Sequence, residues 1–170
     1  LHSIGCNCIE TWDCSSPSSI THAAKRAIEN SPTMGTTLSS DLLCLCLLPS
    51  GSPRLLVTGG VDGRIHLWFS DPKSGKIPLH TILAHDGRVN AIVYSSATKS
   101  LFTAGNDGSL CVFSASLQHG FEFVSRLRLN DDPNQESLRI TVASIMNDSE
   151  EQGTCSLALG SSTGELYSVE

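Results

Sequence analysis

The sequence predicts an all-β fold built from repeated hairpin units. Residues 56–68 and 102–113 carry nearly the same pattern, in which two apolar runs flank an Asp-Gly pair. The two aspartates, Asp62 and Asp107, lie 45 residues apart. Short strands joined by tight turns and repeated with a period in the forties are typical of a β-propeller with one blade per repeat.

Each copy of the pattern consists of a strand, a tight turn and a second strand. Alternate apolar residues such as Ile65 and Leu67 place one row of side chains on one face of a sheet. An Asp-Gly pair between two such runs predicts a hairpin, because glycine tolerates the positive φ that the turn requires. We therefore expect turns at Asp62-Gly63 and Asp107-Gly108.

A further strand precedes each of these two copies. His85 lies in a turn before the alternating run 89–94, which we predict to be another strand of the same blade. The equivalent run 43–48 is more continuously apolar, as expected for a strand that is buried on both faces.

Weaker copies occur towards both ends of the sequence. Ile9 to Asp13 supplies one, and residues 157–169 supply a divergent last copy with Thr163 at the aspartate position. The strand ends of the four copies are separated by 56, 45 and 56 residues, at Trp12, Trp68, Phe113 and Val169.

The longer spacings predict insertions. Residues 13–40 are rich in Ser, Thr and Pro and predict an insertion loop, and the second surplus falls among the polar residues 130–136 and 147–153. Residues 20–28 have apolar side chains at helical spacing behind Ser18-Ser19, which is typical of a capped helix. The same residues could form the outer strand of the blade, which we favour slightly.

These patterns resemble the WD-repeat family. The shared features are a turn with a histidine, a strand, a Ser or Thr in the second strand, an Asp-Gly turn and a third strand that ends in Trp; Trp12-Asp13 is the dipeptide that names the family. The resemblance implies a divergent, partial WD-repeat β-propeller over residues 1–170, with about three full four-stranded blades and a leading partial blade. The implied units are a leading half-blade 1–12 and repeats at approximately 13–68, 69–113 and 114–169.

Three repeats do not close a propeller ring. We expect the remaining blades to come from the same parent chain, with a partner chain as the alternative.

The resemblance also implies a structural role for polar residues in the blades. In WD repeats the histidine, the hydroxyl residue, the aspartate and the tryptophan form a buried hydrogen-bond chain, and buried polar groups need such partners. The matching residues here are Thr58, Asp62, Trp68, His85, Thr103 and Asp107. One blade has Ser39 in the histidine position, and the next blade ends in Phe113.

His85, Thr103 and Asp107 are also the residue types of a hydrolytic triad. No nucleophile elbow or oxyanion loop flanks Thr103, so we predict a structural role, no catalytic residue and a protein that is not an enzyme. We also predict no cofactor, because no glycine-rich stretch has the spacing of a phosphate loop.

The seven cysteines do not form a metal-binding pattern. Cys6 and Cys8, like Cys44 and Cys46, are separated by one residue rather than by the two residues of a zinc knuckle, and the others are scattered. We therefore predict no metal site. An odd number of cysteines without a leader segment is typical of a reducing compartment, which favours a cytoplasmic or nuclear protein.

The charge balance argues against a nucleic-acid surface. The net charge is −6, and Arg126 and Arg128 form only a small basic spot. No apolar run is long enough to cross a bilayer.

We therefore expect a non-catalytic scaffold that binds other proteins within a multiprotein complex. The resemblance implies that the rim made by the His-containing and Asp-Gly turns is the contact surface. The candidate contact residues are Val61, Arg64, Asp86, Arg88, Asn106 and Ser109. The alternatives are a structural wall in a coat-like or pore-like assembly, and a propeller that is active in, or accessory to, a larger enzyme.

Overall fold

The computed structural model describes residues 2–5, 8–16, 19–27, 41–49, 53–71, 73–74, 77–129 and 138–170. Within these residues the regular structure consists of β-strands, without a helix. The strands are β1 (His2–Gly5), β2 (Cys8–Ser16), β3 (Ser19–Ala27), β4 (Leu42–Leu48), β5 (Leu55–Gly60), β6 (Arg64–Phe69), β7 (His80–Leu83), β8 (Val89–Ser95), β9 (Ser100–Gly105), β10 (Ser109–Ser116), β11 (Gly120–Arg128), β12 (Ile140–Ser149), β13 (Thr154–Ser161) and β14 (Leu166–Val169).

The strands form four antiparallel sheets in which neighbours in the chain are neighbours in space. We call them the leading sheet (β1-β2-β3), the second sheet (β4-β5-β6-β7), the third sheet (β8-β9-β10-β11) and the fourth sheet (β12-β13-β14). The all-β prediction is confirmed. The second and third sheets have four strands each, and the leading and fourth sheets have three described strands each.

The sheets pack face to face in chain order, with one apolar core in each interface. Ile9 of the leading sheet packs with Leu56 and Trp68 of the second sheet. The next core joins the second and third sheets, and the last joins the third and fourth. Successive side chains of one strand point to opposite faces and therefore enter two different cores, as Leu67 and Trp68 do.

The Asp-Gly hairpins lie where the sequence predicts them. The strands on either side of each turn pair in register, with Gly59 opposite Ile65 and Ala104 opposite Leu110. Gly63 has a φ of 79° and Gly108 a φ of 70°, which glycine adopts without strain. A Cβ on either glycine would also clash with a backbone carbonyl of the following loop.

The leading sheet extends beyond the expected half-blade. β2 continues past residue 12 to Ser16, and β3 pairs with it antiparallel. Residues 13–27 of the expected insertion loop are thus mostly strand, and the outer-strand alternative for residues 20–28 is confirmed as far as Ala27. Residues 28–40 lie outside the described part of the chain.

β4 is less completely buried than its continuous apolar run predicts. Leu42 and Leu48 are buried, whereas Leu43 is 41% and Leu47 36% exposed. Cys44 and Cys46 pack on the core shared with the third sheet, and Leu45 packs on the core shared with the leading sheet, so both faces meet a core but one of them is incompletely covered. Such runs mark buried strands in parallel sheets, and this sheet is antiparallel.

Candidate functional site

A polar network centred on His85 joins the second and third sheets at the rim that carries the Asp-Gly turns. His85 is 1% exposed and follows β7, and its backbone N–H donates to the carbonyl of Gly63 over 3.1 Å. Its ring Nδ1 lies 3.0 Å from Oδ1 of Asp107, and its Nε2 lies 2.9 Å from Oγ1 of Thr103. The hydrogen bonds expected between these three side chains are therefore present.

Asp107 is held as a carboxylate by the groups around it. Burial alone would raise its pKa, but hydrogen bonds from His85, Ser109 and the backbone N–H of Asp86, together with the His85 charge, outweigh this effect. The pKa of Asp107 therefore lies well below its usual range. The hydroxyl of Ser109 donates to Oδ1 over 2.8 Å, and the N–H of Asp86 donates to Oδ2 over 3.0 Å.

The second sheet contains the other half of the network. The indole Nε1–H of Trp68 donates to Oγ1 of Thr58 over 2.9 Å, in a site where both residues are fully buried. Asp62 accepts the backbone N–H of Arg64 over 3.1 Å and lies 3.7 Å from its guanidinium Nε. Ser39, which occupies the histidine position, lies outside the described residues.

The fourth sheet has a different arrangement at the same turn. The hydroxyls of Ser161 and Thr163 are 2.7 Å apart, and Thr163 donates to the carboxylate of Glu165 over 2.9 Å. Tyr167 donates to the same carboxylate over 2.7 Å. Hydroxyl residues and a glutamate therefore occupy the turn where the two preceding sheets use an Asp-Gly pair.

His66 lies in an unusual environment for a histidine on a strand. His66 is fully buried on β6, its Nδ1 lies 2.9 Å from Oγ1 of Thr81, and its Nε2 has no hydrogen-bond partner in the described structure. Burial lowers its pKa, the Asp62 charge partly offsets this effect and the Arg64 charge adds to it, so that the pKa is about 4. The strand position alone gave no signal of a missing partner.

Arg126 has a structural contact that the basic-spot interpretation missed. From β11 its Nη2 donates to the carbonyl of Ala84 over 2.6 Å, and its Nε donates to Sγ of Cys111 over 3.1 Å. Because Ala84 directly precedes His85, Arg126 fixes the start of the loop that carries the histidine.

The candidate contact residues do not all reach the surface. Asp86 and Arg88 are exposed, and Val61, Arg64 and Asn106 are half-buried on the turns. Ser109 is 1% exposed and is bonded to Asp107, so it belongs to the network and is inaccessible to a partner. A hydroxyl at this turn is indistinguishable by sequence from one that faces solvent.

Polar contacts also tie the third sheet to the fourth at both ends of the interface. At the rim, the side-chain amide of Asn90 donates to the carbonyl of Ile140 over 2.7 Å and to Oδ1 of Asn106 over 2.9 Å. At the opposite edge, Asp148 accepts hydrogen bonds from the Ser95 hydroxyl over 2.5 Å and the Ser96 N–H over 2.9 Å. The two sheets are therefore held in a fixed relative position.

The network holds the sheets together and does not present a reactive group. Thr103 is fully buried, so a substrate has no access to its hydroxyl. Burial also raises the pKa of the Cys44 thiol to about 12, the value for an unreactive thiol. Within the described residues no cluster of metal-ligating side chains is present, and no helix is long and apolar enough to cross a membrane.

Comparisons with known proteins agree with this geometry. The family model described as "WD domain, G-beta repeat" matches residues 33–68 and 76–114. U3 snoRNP-associated protein-like EMB2271 from Arabidopsis thaliana is 32% identical over 71 residues, which cover 42% of this chain and 14% of that protein.

Solved structures show the same fold over nearly the whole chain. The β-propeller domain of Cps50 (Swd1) from Myceliophteria thermophila superposes with a TM-score of 0.67 at 13% identity, covering 95% of this chain and 49% of that one. A chain of the Mitotic Checkpoint Complex superposes with a TM-score of 0.64 at 20% identity, covering 95% and 42%. This chain thus spans about half the length of the propeller chains it matches. The two matched segments are similar to WD repeats, and the chain has the fold of a β-propeller.

Proposed function

We propose that this chain is a non-catalytic scaffold that binds other proteins through the rim of its Asp-Gly turns. The observation that carries the proposal is the contrast at the loop between β7 and β8. His85 is buried and fixed by Thr103 and Asp107, whereas Asp86 and Arg88, which follow it, are exposed. A loop whose backbone is already fixed loses little backbone conformational entropy on binding, which favours recognition.

The similar proteins support a role in an assembly. They include a U3 snoRNP-associated-like protein and a chain of the Mitotic Checkpoint Complex. We propose protein partners in a multiprotein complex, no nucleic-acid binding by this chain, and a cytoplasmic or nuclear location. Co-fractionation of the tagged protein with a large complex tests the assembly, and microscopy of the same protein tests the location.

The test of the rim compares two pairs of exposed charges. Asp86→Ala with Arg88→Ala removes the rim pair while keeping the backbone N–H that Asp86 donates to Asp107. Lys73→Ala with Glu151→Ala removes one exposed base and one exposed acid from the opposite edge, between β6 and β7 and between β12 and β13. After affinity capture and quantitative mass spectrometry, the rim pair should lose partners and the control pair should retain them. Capture of every partner by both variants would remove the rim from the proposal.

Two alternatives predict different outcomes. A structural wall would make its contacts through its sides and insertions, so crosslinks would map to residues 15–40 rather than to the turns. An enzyme active through this propeller would lose activity on substitution of His85 or Asp107 without a change in thermal midpoint. Our proposal instead expects either substitution to lower the thermal midpoint, because both side chains lie in the packed network.

A further inference from the structure

Arginine side chains gather at the Asp-Gly rim, although the protein carries a net charge of −6. In the described sheets they are Arg64, Arg88, Arg128 and Arg139, each at a strand end or in a loop of this rim. Arg54, Lys73 and Lys99 lie at the opposite edge, which also carries the exposed Glu150 and Glu151. Among the side chains that the structure describes, arginine is therefore more frequent at this rim than at the opposite edge.

Among the acidic groups of the same rim that the structure describes, three have internal partners. Asp62 contacts Arg64, Asp107 is bonded to His85, and Glu165 accepts hydrogen bonds from Thr163 and Tyr167. Asp41 and Asp86 remain exposed.

Arg88 and Arg139 occupy equivalent positions in neighbouring sheets. Arg88 directly precedes Val89 at the start of β8, and Arg139 directly precedes Ile140 at the start of β12. The Asn90 amide bond to the Ile140 carbonyl, 2.7 Å long, holds these two strand starts side by side. The two arginines are therefore presented together at the third and fourth sheets.

The guanidinium groups of both residues are available to a partner. The side chains are exposed and make no ion pair within the described structure. The backbone of Arg139 is fixed, because its N–H donates to the Ser162 hydroxyl over 3.3 Å and its carbonyl accepts the Ser162 N–H over 2.9 Å. A fixed backbone with a free guanidinium suits bidentate pairing with a carboxylate.

We propose that Arg88 and Arg139 form a recognition site for an acidic segment of a partner protein. The inference rests on the proposed scaffold function and specifies the chemistry of its partner. Two guanidinium groups on a fixed support match two carboxylates of an extended Glu-rich or Asp-rich segment. Because both side chains are solvent-exposed, the attraction weakens as salt screens it, over a Debye length of about 8 Å at physiological ionic strength.

The test uses a fluorescein-labelled poly-glutamate peptide, with a poly-glutamine peptide and a single-stranded RNA as comparison probes. We expect poly-glutamate to raise the anisotropy signal on binding and poly-glutamine to leave it unchanged. Arg88→Ala with Arg139→Ala should weaken poly-glutamate binding by about tenfold, the loss expected for two exposed ion pairs. Arg88→Lys with Arg139→Lys keeps the charge but not the bidentate geometry, so it should bind poly-glutamate more weakly than the wild type and more tightly than the alanine pair.

The matched control is Arg54→Ala with Lys73→Ala, which removes two exposed cations from the opposite edge. The inference would be overturned if this control lost as much poly-glutamate affinity as the double alanine variant, or if poly-glutamate did not bind. It would also be overturned if RNA bound more tightly through the same two arginines. The broader function fails separately: if Asp86→Ala with Arg88→Ala loses native partners but poly-glutamate does not bind, only the acidic-segment inference is wrong. If that rim variant retains every partner, the proposed function itself is wrong.

Discussion

Trp68 and Thr58 form a buried pair in which the indole N–H donates to the threonine hydroxyl over 2.9 Å. In the third sheet Phe113 occupies the matching position on β10, and the threonine there, Thr103, is bonded to His85 instead. The same hydroxyl position thus serves an indole in one sheet and an imidazole in the next. The second sheet therefore keeps the Thr–Trp part of the hydrogen-bond chain and the third sheet keeps the His–Thr–Asp part, and each part contributes separately to stability.

Replacing Thr58 with valine should destabilise the second sheet. The substitution keeps the shape of the side chain but leaves the buried Trp68 N–H without an acceptor, which costs about 1–3 kcal/mol. Urea unfolding followed by tryptophan fluorescence measures the change. Thr58→Ser, which keeps the hydroxyl, should recover most of the loss. Equal stability of Thr58→Val and the wild type would show that the bond contributes nothing.

Asp107 should make the stability depend on pH in the acid range. Its pKa is lowered in the folded state, so its contribution is fully present above the unfolded value of about 4 and is lost as the pH falls through the lowered pKa. Asp107→Asn should reduce the unfolding free energy at pH 7 by roughly 1–3 kcal/mol and flatten the acid dependence. Urea unfolding at a series of pH values tests this, and an unchanged slope below pH 4 would contradict it.

His66 should cause a separate loss of stability at mildly acidic pH. Because burial lowers its pKa to about 4, the unfolded chain takes up the proton first, and stability present above about pH 6.5 is lost as the pH falls to about 4. The expected loss is about 3 kcal/mol. His66→Leu should remove this component, since leucine has no proton to take up.

The control for His66 is His119→Gln, in the exposed turn between β10 and β11. That variant should keep the wild-type pH profile. If His66→Leu also kept it, the buried imidazole would not be the group that titrates.

Alanine at Gly63 should be far more damaging than alanine at Gly153. Both glycines have positive φ, 79° and 63°, so both variants carry backbone strain of about 1–2 kcal/mol. Only at Gly63 does the added Cβ meet a backbone carbonyl, that of His85, whereas Gly153 has no heavy atom within 4 Å of that position. We expect a loss of about 3 kcal/mol or more for Gly63→Ala. Thermal unfolding of the two variants side by side provides the measurement, and similar midpoints would refute the clash.

The hairpins and the His85 network could be predicted from the sequence because their signals are local. An Asp-Gly pair at Asp62 or Asp107 specifies its own turn, and the repeat places equivalent residues in equivalent sheets. The outer strand at residues 20–28 was ambiguous, since helical spacing and strand pairing make different demands on the same apolar residues. These residues form a strand because they pair with β2, and the local sequence does not specify that pairing.

Burial in the sheet interfaces could not be predicted from strand position. Ser109 and Arg88 are both polar residues beside a rim turn, yet one is buried against Asp107 and the other is exposed. The exposure of Leu43 and the missing partner of His66 likewise depend on how neighbouring sheets meet. Contacts between sheets are long-range in sequence, and a single sequence carries little record of them.

The position of His85 affects how this protein unfolds. Its backbone N–H is hydrogen-bonded to Gly63 in the second sheet, while its imidazole is hydrogen-bonded to Thr103 and Asp107 in the third. Melting either sheet therefore removes a support from the other. Amide protons on β6 and β9 should exchange with solvent through one shared opening event, so the smallest cooperative unit of this array is a pair of blades.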